Sequence, residues 1–291
     1  MSTAFDTPDD LLAELRKPGF RPSRKRGQNF LKDPSIARKI IAAAEITRNT
    51  AVLEIGPGLG ALPRYLITQA GQIIAVEIDD RLSRILEEAY GTYDHLTVLN
   101  QNVLDLNFDE LIASIPRDNR FVLLANLPYC ITGPILDRLM TCHRSITHAV
   151  LMIQREVGER LTASPGTKAY GAITVIMRYY YKIEILFHVS GDQFVPRPAV
   201  ESVVLRFIPH DNPPVMVRDV SLMTLLIKSA FQHRRKMLHH AVNRLEPGSA
   251  EPLSDRTGIN LKRRGETLDL VEFSKLSDAL WEYRKEYKDH S

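Results

Sequence analysis

The chain has 291 residues, of which 44% are hydrophobic and 25% are charged, a composition typical of globular proteins. Its longest apolar runs, such as Phe121–Ala125 and Ala149–Ile153, have the length of strands and are too short to cross a membrane. The first ten residues contain three aspartates and no apolar core, which argues against a secretory signal. Cys130 and Cys142 cannot form a disulfide framework, no His/Cys spacing predicts a metal site, and the expected location is the cytoplasm.

Positive charge is concentrated in two segments, although the net charge is only +3. Residues 16–39 contain nine Lys or Arg and one acid, whereas residues 228–244 contain five Lys or Arg, three His and no acid. Two basic clusters on an otherwise acidic chain are typical of a protein that binds a polyanion. Solvated surface charge is the alternative interpretation.

The order of the predicted elements indicates an α/β fold followed by helices. Residues 1–28 are interpreted as a basic N-terminal arm, because prolines and basic residues follow a short acidic stretch. Strands that are apolar on both faces then alternate with helices such as 79–89, which predicts a mostly parallel sheet covered on both sides. We predict one domain over residues 29–210 and a small helical domain over 215–291. The predicted strands are 51–55, 72–77, 96–100, 121–125 and 149–153.

A glycine-rich turn follows the first of these strands. The segment Gly56-Pro-Gly58-Leu-Gly60 lets the backbone approach a ligand at the carboxyl edge of the sheet. Glu77 ends the next strand, where a carboxylate can accept both hydroxyls of a ribose. The pair predicts a nucleoside cofactor, either NAD or S-adenosylmethionine, although the turn alone also fits a purely structural role.

The tetrapeptide Asn126-Leu127-Pro128-Tyr129 follows a predicted strand and should face the same crevice. Adenine N6 is a poor nucleophile, because its lone pair is delocalised into the ring. The Asn126 oxygen and the Leu127 or Pro128 carbonyl can accept its N–H bonds, while the Tyr129 ring stacks on the base. Only the ring is used, so Tyr129→Phe should be tolerated. The tetrapeptide predicts methylation of an exocyclic amine by positioning, with an ordinary turn as the alternative.

Together with Gly27-Gln-Asn29-Phe-Leu31, these motifs resemble the ribosomal RNA adenine N6-dimethyltransferases. The resemblance implies a Rossmann-like S-adenosylmethionine-dependent methyltransferase fold with a small C-terminal helical domain. It implies transfer of methyl groups to N6 of two adjacent adenosines in the 3′-terminal hairpin loop of 16S ribosomal RNA, during small-subunit biogenesis. Residues 1–20 lie outside it. Further ordered matches are Gln154–Leu161, Lys168–Gly171, Phe194–Pro198, Val200, Ser202 and Phe231–Lys236.

The resemblance also implies roles for single residues. Asn102 stands where the family usually has an aspartate that contacts the cofactor adenine. Because an amide forms a weaker hydrogen bond than a carboxylate, Asp105 is the alternative residue for this contact. Tyr129 and Phe194 would stack on the target adenine, although Phe194 can also be a core residue beside a turn. Cys130 is interpreted as a packed thiol. The implied catalytic residues are Asn126, Pro128 and Tyr129, and the implied S-adenosylmethionine contacts are Asn29, Leu31, Gly56, Gly58, Glu77, Asn102 and Asn126.

The basic clusters supply the expected RNA contacts. We expect residues 24–26 of the arm to bind phosphates of the small ribosomal subunit. Residues 234–236, which we expect to form a helix-borne cluster, should bind the same phosphates. No metal and no membrane are expected, and the chain should be a monomer. The predicted RNA-binding residues are Arg24, Lys25, Arg26, Arg234, Arg235 and Lys236.

Several other functions compete with this hypothesis. The basic cluster at 231–236 argues against the large-subunit RNA dimethyltransferases that give macrolide resistance. The absence of an Arg-rich transit peptide argues against the mitochondrial relatives. A Rossmann dehydrogenase would leave Asn126–Tyr129 without a role. The same tetrapeptide argues against a subunit-assembly factor that binds without catalysis.

Overall fold

The chain forms two compact units in the computed structural model, which describes residues 13–17, 20–23, 26–115, 120–233 and 235–288. One unit comprises Met1–Gly158 and Ile183–Pro209, and the other comprises Glu159–Lys182 and His210–Ser291. The predicted domain 29–210 therefore needs a correction, because residues 159–182 belong to the second unit.

Seven strands form one sheet, whose bounds closely follow the apolar runs of the sequence. In chain order these strands are β2 Ala51–Ile55, β3 Gln72–Glu77, β4 Leu96–Asn100, β5 Phe121–Asn126, β6 Ile146–Gln154, β7 Tyr181–Val189 and β9 Ser202–Pro209. Their order across the sheet is β4-β3-β2-β5-β6-β9-β7. The pairs from β4 to β6 are parallel, and β9 is antiparallel to β6. A separate antiparallel pair joins β1, Phe30–Leu31, to β8, Phe194–Val195.

The strand order changes direction at β2. The chain runs outward from β2 to β3 and β4, and then returns to place β5 on the other side of β2. Open α/β sheets bind ligands at the carboxyl ends of the strands beside such a reversal. The fold therefore directs attention to the residues that follow β2, β3 and β5.

Helices cover the sheet, and several of them begin at a residue whose side chain accepts from one of the first N–H groups. Asp33 accepts from Ser35 N, and Asp79 accepts from Arg81 N at a helix start close to the predicted one. Buried residues of the strands and helices form the core, and each large apolar side chain buried there contributes roughly 1.5–3 kcal/mol. These helices are α1 Pro34–Ala43, α2 Pro63–Gln69, α3 Asp80–Tyr90, α4 Phe108–Ala113, α5 Thr132–Cys142 and α6 Arg155–Thr162.

The second unit is helical, as predicted, but it also contains a helix that precedes residue 210 in the sequence. The Tyr170 and Phe231 rings lie 5.8 Å apart, and Tyr170 Oη donates to Leu268 O at 2.8 Å. A Cβ at Gly265 would lie 2.8 Å from Ala230 Cβ, so only glycine fits there. The two Tyr170 contacts join residues 159–182 to the later helices. The helices are α7 Ala172–Tyr180, α8 Val220–Gln232, α9 Leu238–Leu245, α10 Ala250–Thr257 and α11 Leu270–Lys288.

Candidate active site

A cavity of about 700 Å³ lies at the carboxyl edge of the first unit's sheet. Its walls come from the segments that follow β2, β3, β4 and β5, together with residues of the N-terminal arm. All seven residues predicted to contact the cofactor line it, namely Asn29, Leu31, Gly56, Gly58, Glu77, Asn102 and Asn126.

The glycine turn brings the backbone to the cavity wall. Gly56 and Gly58 have φ angles of +67° and +60°, in the left-handed region that favours glycine. A Cβ at Gly58 would lie 3.3 Å from the Phe30 ring of β1. The turn therefore leaves little room for a side chain between its backbone and β1.

Glu77 is 4% exposed, and both of its carboxylate oxygens are oriented by backbone N–H groups. Oε2 accepts from Gly58 N at 3.1 Å, and Oε1 accepts from Asp79 N at 3.0 Å. Burial raises the pKa of Glu77, since it outweighs the lowering by these hydrogen bonds. Each oxygen keeps a further lone pair that can accept from a ligand hydroxyl.

Glu54 is a second buried carboxylate in the cavity wall, to which the sequence analysis assigned no role. It is 2% exposed, and its Oε2 has no hydrogen-bond partner among the residues that the structure describes. Burial, and to a lesser degree the charge of Glu77, raise the pKa of Glu54 well above its usual range. The position of Glu54 directly before the glycine turn, in the motif Glu54-Ile-Gly56, was the sequence feature that could have indicated a place in the cavity wall.

An exposed apolar side chain and an amide complete this part of the cavity. Ile78 lines the cavity and is 49% exposed, although large apolar residues are normally buried. Asn102 lines it as well, whereas Asp105 does not. Asn102 Oδ1 accepts from Leu104 N at 3.1 Å, and its Nδ2 donates to Asp105 Oδ2 at 2.9 Å. Asp105 therefore orients the Asn102 amide from outside the cavity.

The tetrapeptide after β5 is held by contacts with β6 and with the residue that precedes β1. Leu127 N donates to Met152 O on β6 at 3.0 Å. Asn126 Nδ2 donates to Asn29 O at 3.3 Å, which leaves Asn126 Oδ1 as an acceptor. Pro128 and Tyr129 also line the cavity, so the structure brings the three predicted catalytic residues together.

The hydroxyl of Tyr129 has a specific partner, which changes one expectation. Tyr129 Oη and Ser202 Oγ lie 2.9 Å apart. Burial raises the pKa of Tyr129 more than this bond lowers it. Tyr129→Phe would leave the Ser202 hydroxyl without this partner, so the hydroxyl of Tyr129 has a structural contact in addition to the predicted role of the ring.

Residues of the arm contact both sides of the cavity. A Cβ at Gly27, where φ is +63°, would lie 3.7 Å from Pro128 Cβ. Arg26 Nη1 lies 2.7 Å from Asp79 Oδ2, and Gln28 Nε2 donates to the same oxygen at 3.1 Å. Burial alone would raise the pKa of Asp79, but the Gln28 hydrogen bond and the Arg26 charge lower it below its usual value. Arg26 is thus paired within the protein, in addition to its predicted contact with RNA.

Phe194 and Cys130 differ in their exposure. Phe194 is 3% exposed, pairs with Leu31 between β8 and β1, and does not line the cavity. This burial is what the alternative of a core phenylalanine predicts, and the stacking of Phe194 on the target adenine stays a prediction. Cys130 is exposed and lines the cavity, whereas the sequence analysis expected a packed thiol.

The basic cluster of the second unit lies on a turn. Helix α8 ends at Gln232 and α9 begins at Leu238, so Arg235 and Lys236 are exposed on the turn between them. The expectation of a helix-borne cluster is therefore wrong. Arg24, Lys25 and Arg234, the other predicted phosphate contacts, lie outside the described residues.

Within residues 13–288, apart from the undescribed gaps, no helix is long and apolar enough to cross a membrane. The same residues contain no group of three or more His, Cys, Asp or Glu that could hold a metal ion.

Comparison with known proteins gives a consistent group of relatives. A family model described as ribosomal RNA adenine dimethylase matches residues 19–280. Ribosomal RNA small subunit methyltransferase A of Geobacillus thermodenitrificans is 40% identical over 281 residues, covering 94% of this chain and 96% of that protein. The protein of the same name from Moorella thermoacetica is 41% identical and covers 94% of this chain and 98% of its own. A crystal structure of a dimethyladenosine transferase from Plasmodium falciparum has a TM-score of 0.72 at 27% identity, covering 89% of this chain and 98% of that chain.

Proposed function

The chain belongs to the ribosomal RNA adenine dimethylase family, and from this premise we propose its reaction. It is an S-adenosylmethionine-dependent methyltransferase that acts on N6 of adenosine in small-subunit ribosomal RNA. Its target is a pair of adjacent adenosines in the 3′-terminal hairpin loop, which become N6,N6-dimethyladenosines during small-subunit biogenesis. The small ribosomal subunit is the partner, the chain acts as a monomer, and the cytoplasm is its location.

The cavity has the volume and the groups that S-adenosylmethionine requires. A volume of about 700 Å³ lies within the range of small-molecule sites. The oriented carboxylate of Glu77 accepts the ribose hydroxyls, and the apolar surface of Ile78 with the Asn102 amide faces the adenine. Glu54 Oε2, buried without a partner among the described residues, fits a ligand that carries positive charge. When bound, S-adenosylmethionine supplies a methyl group on a sulfonium that leaves readily.

The tetrapeptide after β5 positions the target amine. Asn126 Oδ1 accepts one N6–H, because Asn126 Nδ2 is already bound to the Asn29 carbonyl. The Pro128 carbonyl already accepts from Ile131 N at 3.0 Å, which favours the Leu127 carbonyl as the second acceptor. Both acceptors turn the nitrogen lone pair out of conjugation, and the Tyr129 ring stacks on the base. No strong general base is required, since positioning carries most of the rate.

The exposed Arg235 and Lys236 of the helical unit contact phosphates of the small ribosomal subunit and thereby bind it. Such contacts position the RNA without reading its sequence, so the choice of base depends on the cavity. The target adenine must leave its loop to reach the methyl group.

The orientation of the Asn126 amide by the Asn29 carbonyl is the observation that carries the proposal. The test uses small subunits from a strain that lacks this modification, incubated with S-adenosylmethionine and the protein. We expect mass spectrometry of the 16S RNA to show N6,N6-dimethyladenosine at two adjacent positions, and Asn126→Ala to abolish most of it. Absence of N6,N6-dimethyladenosine from the 16S RNA would contradict the proposal, and tight binding without product would favour an assembly factor.

A further inference from the structure

Among the described residues, the side chain of Ser202 reaches the active site by a hydrogen bond to the hydroxyl of Tyr129. The two oxygens lie 2.9 Å apart. Ser202 is 1% exposed and is not among the residues that line the cavity, whereas Tyr129 lines it. The serine therefore does not touch cofactor or RNA, and any effect it has on methyl transfer passes through the tyrosine.

Both partners of this hydrogen bond are attached to the same part of the sheet. Ser202 is the first residue of β9 and lies opposite Gln154, the last residue of β6. Tyr129 follows β5, which pairs with the other side of β6, and Leu127 N donates to Met152 O on that strand. The two hydroxyls thus meet over the carboxyl end of β6, and neither depends on a long loop for its position.

A tyrosine held at both ends has little freedom to move. The backbone positions Cβ, and Ser202 holds Oη, so the ring can rotate about its long axis, whereas swinging out of the cavity wall would break the hydrogen bond. Burial raises the pKa of Tyr129, so the hydroxyl stays protonated at physiological pH and the bond joins two neutral groups. A pre-positioned ring avoids part of the ordering cost when a base stacks on it.

We infer that Ser202 is a positioning residue, which holds the ring of Tyr129 where the target adenine stacks. The inference rests on the proposed function, because it assumes that Tyr129 receives the base. It also predicts that Ser202 affects the methyl-transfer step more than the binding of either substrate, since docking and cofactor binding use other residues.

A double-mutant cycle tests the inference with four proteins: wild type, Ser202→Ala, Tyr129→Phe and the double variant. Methylation of unmodified small subunits is measured with steady-state kinetics, and cofactor binding is measured by calorimetry. We expect each single variant to lower kcat about two- to tenfold, the range for one net hydrogen bond, with KM for subunits and Kd for S-adenosylmethionine unchanged. The double variant should be no slower than the slower single variant, because both changes remove the same interaction.

Ser277→Ala is the matched control. Ser277 is also 1% exposed, and its hydroxyl has no partner within the described part of the chain, so this change should leave kcat unaltered. Additive losses in the cycle, or a wild-type kcat for Tyr129→Phe, would overturn the inference. Tyr129→Phe leaves β9 unchanged, so it decides the matter if Ser202→Ala folds poorly. A wild-type protein that makes no N6,N6-dimethyladenosine in small subunits would refute the proposed function instead.

Discussion

Replacing Glu54 by Gln should stabilise the cofactor-free protein, and the gain should grow with pH. Glu54 is buried with Oε2 unpartnered in the described structure, and burial together with Glu77 raises its pKa well above the usual value of 4.5. The folded state therefore binds this proton more tightly than the unfolded state. The contribution of Glu54 to wild-type stability is greatest at low pH and falls as pH rises above about 4.5, by at most about 1.4 kcal/mol per pH unit. The Gln side chain is neutral at every pH, so its contribution to the free energy of unfolding does not change with pH.

The expected gain for Glu54→Gln at pH 8 is about 1–3 kcal/mol, because burial disfavours the ionised carboxylate, whereas the Gln side chain has no charge to bury. Near pH 4.5 the two proteins should be equally stable, since both then carry a neutral side chain. The assay is urea unfolding between pH 5 and pH 8 without cofactor, with the exposed Glu88→Gln as the control that should show no such trend. A stability difference that is absent, or that shrinks as pH rises, would refute the reasoning.

The other predictions concern cofactor binding, docking and chemistry. Glu77→Ala should weaken S-adenosylmethionine binding by about 1.5–3 kcal/mol in calorimetry, because charge-assisted hydrogen bonds are lost. Unchanged affinity would contradict the ribose assignment. Changing Arg235 and Lys236 together to Ala should weaken subunit binding and reduce its salt slope by about 2, with cofactor affinity unaltered. Normal binding across a salt series would place docking elsewhere. Asn126→Ala should lower the single-turnover rate roughly a hundredfold with little change in subunit affinity, as expected for loss of a transition-state contact. Near-normal methylation by a well-folded variant would refute the role.

Much of the sheet could be predicted because its strands are short, continuous apolar runs between turn residues. Strands β2, β3 and β4 have the predicted bounds, and β5 is longer by one residue. Because parallel strands place their carboxyl ends together, the residues after β2, β3 and β5 could be assigned to one site. Those predictions needed only local pattern and a general rule of topology.

Features that depend on distant pairing could not be predicted in this way. Phe194 stands in a segment with two nearby prolines, yet its strand pairs with Leu31, far back along the chain. The ion pair of Arg26 with Asp79 and the bond between Tyr129 and Ser202 likewise join remote positions. Local sequence contains no signal for such contacts, so a family motif identified the residues but not all of their roles.

The two buried carboxylates also link cofactor binding to stability. Glu54 and Glu77 lie in the same cavity wall, and their mutual repulsion contributes to the raised pKa of Glu54. A ligand with a sulfonium and an ammonium compensates this negative charge, whereas a neutral ligand of the same shape does not. Because such a ligand binds only the folded state, it should raise the unfolding temperature as its concentration rises. The Glu54→Gln variant should gain less from the same ligand, since part of the charge that the ligand compensates is already absent.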